Sequence, residues 1–475
     1  MKILYVTSEA APYAASGGLG DVMGSLPAAV LASLDEGSEV SVILPLYAQV
    51  SAAHRERMEK VAEFHIPYVW RRSYVGIYKL TNENGVTYYF VDNEQYFKRP
   101  TMYGQYDDGE RYAFFAHAVV EFMLHTSFIP DVLHANDWQA ALAVVYLKLR
   151  YGMCEQLHGI KTVFTIHNIE YQGRYDIRTV GDIFDIGNEN VNIVEYNGDI
   201  NLLKAAVVCA DEVTTVSPTY AEELKHEYFA YGLEWIIRMF GSKMHGIING
   251  LDVDYFDPRR EDIPVPFSPD GIRAGKAGNK AHLQRALGLP EAPDTPLIAM
   301  VTRLTEGKGV DLVLHIFEEL MEEKVQFVLL GTGDGCYEQI FASLCERYGD
   351  KARALLRFDR ALSKEIYAAA DIFLMPSKTE PCGLAQMIAC RYGTVPVVHG
   401  VGGLADSIVP YGEEGSLGFV FRNFNAHDML FRLKDALALY EDREEWDALT
   451  VRAATADFTW KTSAEDYIRL YKTKN

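Results

Sequence analysis

Short β-branched runs alternate with longer stretches of helical periodicity along nearly the whole chain, and this alternation leaves few folds open. Strand runs are read at residues 2–7, 39–44, 161–167, 212–217 and 244–249, and a second series at 297–303, 325–330, 371–375 and 394–398. Amphipathic stretches such as 111–125, 137–151 and 310–322 lie between them. Strands separated by helices cannot close hairpins, so the pattern implies parallel sheets covered by helices, an α/β chain.

The chain has 475 residues, too many for one ordinary core, and two or three domains are expected. A polar, proline-rich stretch at 257–271 separates the two strand series and reads as the linker. Each half then has the size of a doubly wound domain, which binds ligands beyond the carboxyl ends of its strands. The net charge of −21 argues against a duplex nucleic-acid partner. No apolar run has the length of a membrane helix, and the opening run at 1–7 is too short for a secretory signal. Six cysteines stand scattered with no CxxC pair, as reduced thiols in a cytoplasmic protein would.

Five segments carry candidate chemistry. Ala15-Ser16-Gly17-Gly18-Leu19-Gly20-Asp21 follows the first strand and precedes a helix expected near Asp21, and its amides either approach a phosphate or form a plain flexible loop. Arg303 ends a strand and Lys308 follows five residues later. That spacing lets a forked and a compact cation share one diphosphate, and it also fits two solvated surface charges. Pro376-Ser377-Lys378-Thr379-Glu380-Pro381-Cys382-Gly383-Leu384-Ala385-Gln386 follows the strand run at 371–375 and opens a helix whose first-turn amides offer a second anion site. On spacing alone Glu380 is a helix-dipole partner. His167-Asn168 closes another strand run, and in His134-Ala135-Asn136-Asp137-Trp138 the aspartate reads first as an N-cap.

Two further matches read as empty. Asp252-Val253-Asp254 has the form of a metal-binding D-x-D but lacks a ligand cluster around it, so no metal is expected. Gly331-Thr332-Gly333-Asp334-Gly335 lacks the third spaced glycine of a dinucleotide fingerprint and reads as a tight turn, which sets aside a dinucleotide oxidoreductase.

Taken in order, the segments at 16–21, 134–138, 167–173, 216–220, 248–252, 303–309, 380–386 and 402–406 resemble the bacterial glycogen synthase and plant starch synthase family from end to end. The resemblance implies the GT-B class, two Rossmann-like doubly wound domains facing across a deep cleft. It implies an N-terminal domain over 1–258, a nucleotide-sugar domain over 259–456, and a tail over 457–475, with the helix Lys461–Lys472, packing back on the first domain. It also implies a retaining hexosyltransferase that takes ADP-glucose, extends an α-1,4-glucan (glycogen or a malto-oligosaccharide) and needs no metal. Carried over position by position, Arg303 and Lys308 hold the donor diphosphate, and Glu380 orients the glucosyl hydroxyls. Amides from Cys382 through Gly383 and Leu384 to Ala385 face sugar and phosphate. His167 and Asn249 contact the glucose, Asp137 lies near the reacting centre, and Phe358 faces the nucleobase. Ser16, Gly17, Gly18 and Asp21 lie on the donor side of the first domain.

The chain departs from the family pattern in three places. Ala15 stands where the family has Lys; His399, Gly400 and Val401 stand where it often has Arg-x-Thr; and Ala385 replaces a commonly polar residue. These departures keep two alternatives in view, a GT-B enzyme for another donor such as UDP-glucose and a catalytically weakened glucan-binding paralogue. Intact Arg303, Lys308 and Glu380 favour the active enzyme.

Overall fold

The computed structural model describes residues 1–473. Two compact units divide it: Met1–Gly250 together with the segment from Trp460 onward, and Leu251–Thr459.

In the first unit a nine-stranded sheet runs in the order β12-β11-β7-β6-β1-β2-β5-β4-β3. Its strands are β1 (Lys2–Val6), β2 (Glu39–Pro45), β3 (Glu59–Tyr68), β4 (Arg71–Thr81), β5 (Thr87–Asp92), β6 (Val132–Asn136), β7 (Lys161–Ile166), β11 (Glu212–Thr215) and β12 (Met244–Gly246). Pairing is parallel from β12 to β5 and antiparallel for β5–β4 and β4–β3. Every residue of β6 and β7 is buried, as expected of parallel strands covered on both faces. Three short strands, β8 (Arg174–Asp176), β9 (Glu195–Tyr196) and β10 (Asp199–Asn201), make a small separate sheet.

The helix Lys461–Lys472 belongs to this unit. It is anchored through a buried chain in which Tyr471 Oη meets Tyr5 Oη at 2.9 Å and His134 Nδ1 at 2.7 Å. The other ring nitrogen of His134 meets Thr165 Oγ1 at 2.5 Å. Burial drives the His134 pKa down to about 3, so the ring is a neutral structural link between β6, β7 and that helix.

The second unit has a six-stranded parallel sheet in the order β15-β14-β13-β16-β17-β18. The strands are β13 (Leu297–Val301), β14 (Gln326–Leu330), β15 (Ala352–Leu355), β16 (Ile372–Met375), β17 (Val395–His399) and β18 (Phe419–Phe421). Its core gathers Ile298, Val313, Phe317, Phe327, Leu374 and Val397.

Two expectations are corrected here. The stretch 257–271 is no linker. Asn279 holds both the amide and the carbonyl of Val265 (3.0 and 2.7 Å), and Phe267 is buried against Gly275, so the prolines shape a packed edge of the second unit. The boundary accordingly falls earlier than 258, between Gly250 and Leu251, where the Leu251 amide donates to Phe458 O. The helix expected near Asp21 begins at Gly18, which puts Asp21 in its first turn.

Candidate active site

In the first unit the carboxyl ends of neighbouring parallel strands bring several of the expected residues to one edge. Asp137 is the first residue of the helix Asp137–Leu149 and adopts a left-handed backbone, φ 56°. It is not the N-cap: that position belongs to Asn136, whose side-chain amide is taken by Val6 O and His134 O. The Asp137 carboxylate turns instead to the strand next door and accepts the His167 amide at 2.7 Å. A non-glycine residue at φ > 0 is uncommon, and aspartate is one of the few that adopt it readily.

Asp137 is half-buried as a residue, and its carboxyl is ringed by protein. Desolvation raises its pKa to about 7, against the pull of the His167 and Asn168 amides, and the nearby Glu9 charge adds to the rise. His167 Nε2 lies 2.9 Å from Asn136 Oδ1. Because the Asn136 amide nitrogen is already committed to carbonyls, Oδ1 must accept, so His167 carries its proton on Nε2. Burial lowers the His167 pKa to about 3, which leaves Nδ1 of a neutral ring as an acceptor.

Glu9 was absent from the sequence reading. It follows β1 by three residues, is buried, and grips the glycine-rich loop: Oε2 accepts the Ser16 amide at 2.5 Å and the Gly17 amide at 3.3 Å, and Oε1 accepts Ser16 Oγ at 2.7 Å. Tyr103 Oη donates to Oε1 at 2.6 Å. The loop is therefore held rather than flexible, while Ala15, Ser16, Gly17 and Gly18 remain exposed. Asn249 follows β12 and is buried with its Oδ1 lacking a hydrogen-bond partner.

The second unit repeats the principle at the carboxyl ends of β13, β14, β16 and β17. Lys308 Nζ donates to Glu380 Oε2 at 2.6 Å, and Ser377 Oγ donates to the same oxygen at 2.8 Å. Glu380 is thus an ion-pair partner, not the helix-dipole residue that spacing alone favoured. Two glycines permit this approach. At Gly309, φ 67°, a Cβ would stand 2.0 Å from Pro376 O, and at Gly402, φ 44°, a Cβ would stand 2.0 Å from Glu380 O. Lys378 ties the two loops again, its amide to Gly307 O at 3.0 Å and its Nζ to Glu306 Oε1 at 3.1 Å.

Arg303, two residues after β13, is exposed, and among the described residues its guanidinium has no hydrogen bond or ion pair. The Gly331–Gly335 segment is more than a tight turn, because Leu304 pairs with it: Leu304 N donates to Thr332 O at 2.9 Å and Asp334 N to Leu304 O at 2.8 Å. Phe358, 82% exposed, stands in the loop after β15. The helix Ala385–Arg391 starts just after Cys382, Gly383 and Leu384, and Gln386 Nε2 caps the carbonyls of Cys382 and Gly383 at 3.1 and 3.0 Å. Asp252 Oδ1 takes the amides of Asp254 and Tyr255, an Asx turn. Among the described residues no group of three or more His, Cys, Asp or Glu is gathered for a metal ion.

The geometry therefore supplies cations, a held carboxylate and a left-handed aspartate at the strand ends of two doubly wound sheets. Residues 2–239 match the starch synthase catalytic domain and residues 288–449 match glycosyl transferases group 1. The glycogen synthase of Streptococcus mutans serotype c is 46% identical over 99% of this chain and 99% of its own length. The chain belongs to the glycogen and starch synthase family. The glycogen synthase of Clostridium novyi is 44% identical over 99% of this chain and 98% of its own. The catalytic domain of starch synthase IV from Arabidopsis thaliana, solved bound to ADP and acarbose, superposes with a TM-score of 0.90 at 32% identity, covering 99% of this chain and 98% of that one. Sucrose-phosphate synthase from Thermosynechococcus elongatus shares the fold at a TM-score of 0.62 and 18% identity. The fold class is GT-B, and the family's activity is glucosyl transfer.

Proposed function

We propose that this chain transfers glucose from ADP-glucose to the non-reducing end of an α-1,4-glucan with retention of configuration, in the cytoplasm. The observation that carries the reading is the Lys308–Glu380 ion pair at the strand ends of one parallel sheet, with Arg303 unpaired just after β13 of that sheet. In this reading Arg303 and Lys308 neutralise the charge that develops as the nucleoside diphosphate leaves. Stabilisation of that kind contributes about 10²–10³ in rate per donor. The amides of Gly383 and Leu384 add to it. Glu380 accepts a hydroxyl of the transferred glucose, and Phe358 lies against the adenine.

In the first unit Asp137, His167 and Asn249 meet the glucosyl group, with His167 Nδ1 accepting a hydroxyl. The leaving phosphate takes the proton of the attacking glucan hydroxyl on the same face, which gives retention without the second carboxylate that a glycosidase requires. The test is direct. Purified protein is incubated with glycogen and either ADP-glucose or UDP-glucose, and nucleotide release and chain growth are followed. Growth with ADP-glucose is expected; faster growth with UDP-glucose overturns the donor assignment, and no growth with either overturns the activity.

A further inference from the structure

Both protein donors to Glu380 choose one oxygen. Lys308 Nζ and Ser377 Oγ meet Oε2, and among the described residues Oε1 takes no hydrogen bond. The carboxylate plane is therefore held from one side, and the other oxygen is left for a ligand. Lys308 alone would not fix that plane, because an ammonium accepts many approach angles. Ser377 supplies the second point, and its own main chain is in turn held from β17.

That hold comes from His399. Its Nδ1 donates to Ser377 O at 2.8 Å. The imidazole is buried, stacked on Phe421 at 5.1 Å and 22°, with Phe424 at 5.5 Å. A ring packed on two aromatics and bonded to a backbone carbonyl has little freedom, so it fixes where the Ser377 turn begins. His399 also stands at one of the positions where the family pattern often has arginine, so the device belongs to this chain's own residues.

We infer that His399 and Ser377 form a positioning relay that sets the Glu380 carboxylate, so that Oε1 is the oxygen presented to the glucosyl group. The relay rests on the reading above, in which Glu380 meets the donor sugar. Neither His399 nor Ser377 touches substrate in it; both act through Glu380.

Calorimetric titration with ADP-glucose and with ADP separates the sugar's contact from the nucleotide's. His399→Ala and Ser377→Ala are each expected to weaken ADP-glucose binding about tenfold while ADP binding stays within about twofold. His399→Asn keeps a donor near the Nδ1 position and should recover most of the loss. The double variant should lose no more than Ser377→Ala alone, because a relay acts as one unit. In turnover assays the single variants should lower kcat by about tenfold or more. Losses that add in the double variant, or ADP-glucose binding unchanged in Ser377→Ala, overturn the relay alone. A parent protein that binds neither nucleotide overturns the functional reading and the relay with it. Should His399→Ala fail to fold, His399→Asn and the two serine variants, Ser377→Ala and Ser377→Thr, decide the matter.

Discussion

Asp137→Asn isolates the charge of the carboxylate in the first unit. Asparagine keeps an Oδ1 to accept the His167 amide, and it tolerates the left-handed backbone at φ 56° as readily as aspartate does. What changes is titration. In the folded parent Asp137 has a pKa raised from 3.8 to about 7 by desolvation. Between those values the folded state holds a proton that the unfolded chain has released, so parent stability falls as pH rises through the window and the loss is complete above about pH 7. From pH 5 to 8 the interval up to 7 spans about 2 pH units, which at 1.36 kcal/mol each gives an upper figure of about 2.7 kcal/mol. Asp137 is only half-buried as a residue, which reduces this to roughly 1.4 kcal/mol, or a Tm difference of about 3–5 °C for a unit of this size. The variant should therefore gain stability over the parent as pH rises, while its turnover falls because the group near the reacting centre has lost its charge. Thermal melts of both proteins at pH 5 and pH 8, with turnover at pH 8, check this. A stability difference that is the same at both pH values refutes the desolvation argument, and undiminished turnover refutes the placement of Asp137 at the reaction.

Other perturbations address the remaining groups. Arg303→Ala and Lys308→Ala should each lower kcat by about 10²–10³ at saturating donor, and near-normal turnover in both would sink the diphosphate assignment. Glu9→Gln should loosen the Ser16–Gly17 loop by about 1.5–3 kcal/mol, since the charged acceptor of two amides is lost; proteolysis within the loop at an unchanged rate would count against it. Activity should persist in excess EDTA, and loss restored by magnesium or manganese would return Asp252 and Asp254 to consideration as ligands. Ala15→Lys, at an exposed position of the held loop, should tighten ADP binding by about 1–2 kcal/mol in a salt-sensitive way; equal or weaker binding by calorimetry would mean that this loop does not face the donor.

What was legible in the sequence follows from what each pattern encodes. Periodicity reports burial, so the buried parallel strands such as β1, β7, β13 and β14 were readable, and the returning helix Lys461–Lys472 had the expected bounds. The antiparallel β3–β4 pair was missed: β3 alternates exposed and buried only over Glu63–Tyr68, β4 does not alternate regularly, and the register shifts between Lys60 and Ala62. Composition misled at 257–271, where prolines suggested a linker although Asn279 and a buried Phe267 bind the segment to its unit.

The candidate site divides along the same line. Arg303 and Lys308 were singled out by their place after a strand together with the family resemblance, since their spacing alone also fits two solvated charges. The Glu380 partnership was invisible, because it spans 72 residues and depends on two glycines that let backbones approach where a Cβ would collide. Glu9, Ser377 and His399 carry no spacing signature at all. Each is recognisable only as a buried polar group whose hydrogen bonds must be accounted for once the strand ends are side by side. That accounting has a direction. A buried polar group with all its bonds made to main chain, as His399 has, holds shape. One with an acceptor left over, as Asn249 has, or with one oxygen committed and the other open, as Glu380 has, can still take a partner that the protein does not itself supply. Open acceptors alone do not single out a site, since Gln386 Oε1 and Asp311 Oδ1 are unpartnered too among the described residues. It is the proposed function that assigns Asn249 Oδ1 and Glu380 Oε1 to sugar hydroxyls and the Arg303 guanidinium to phosphate, the groups that a nucleotide-activated sugar presents.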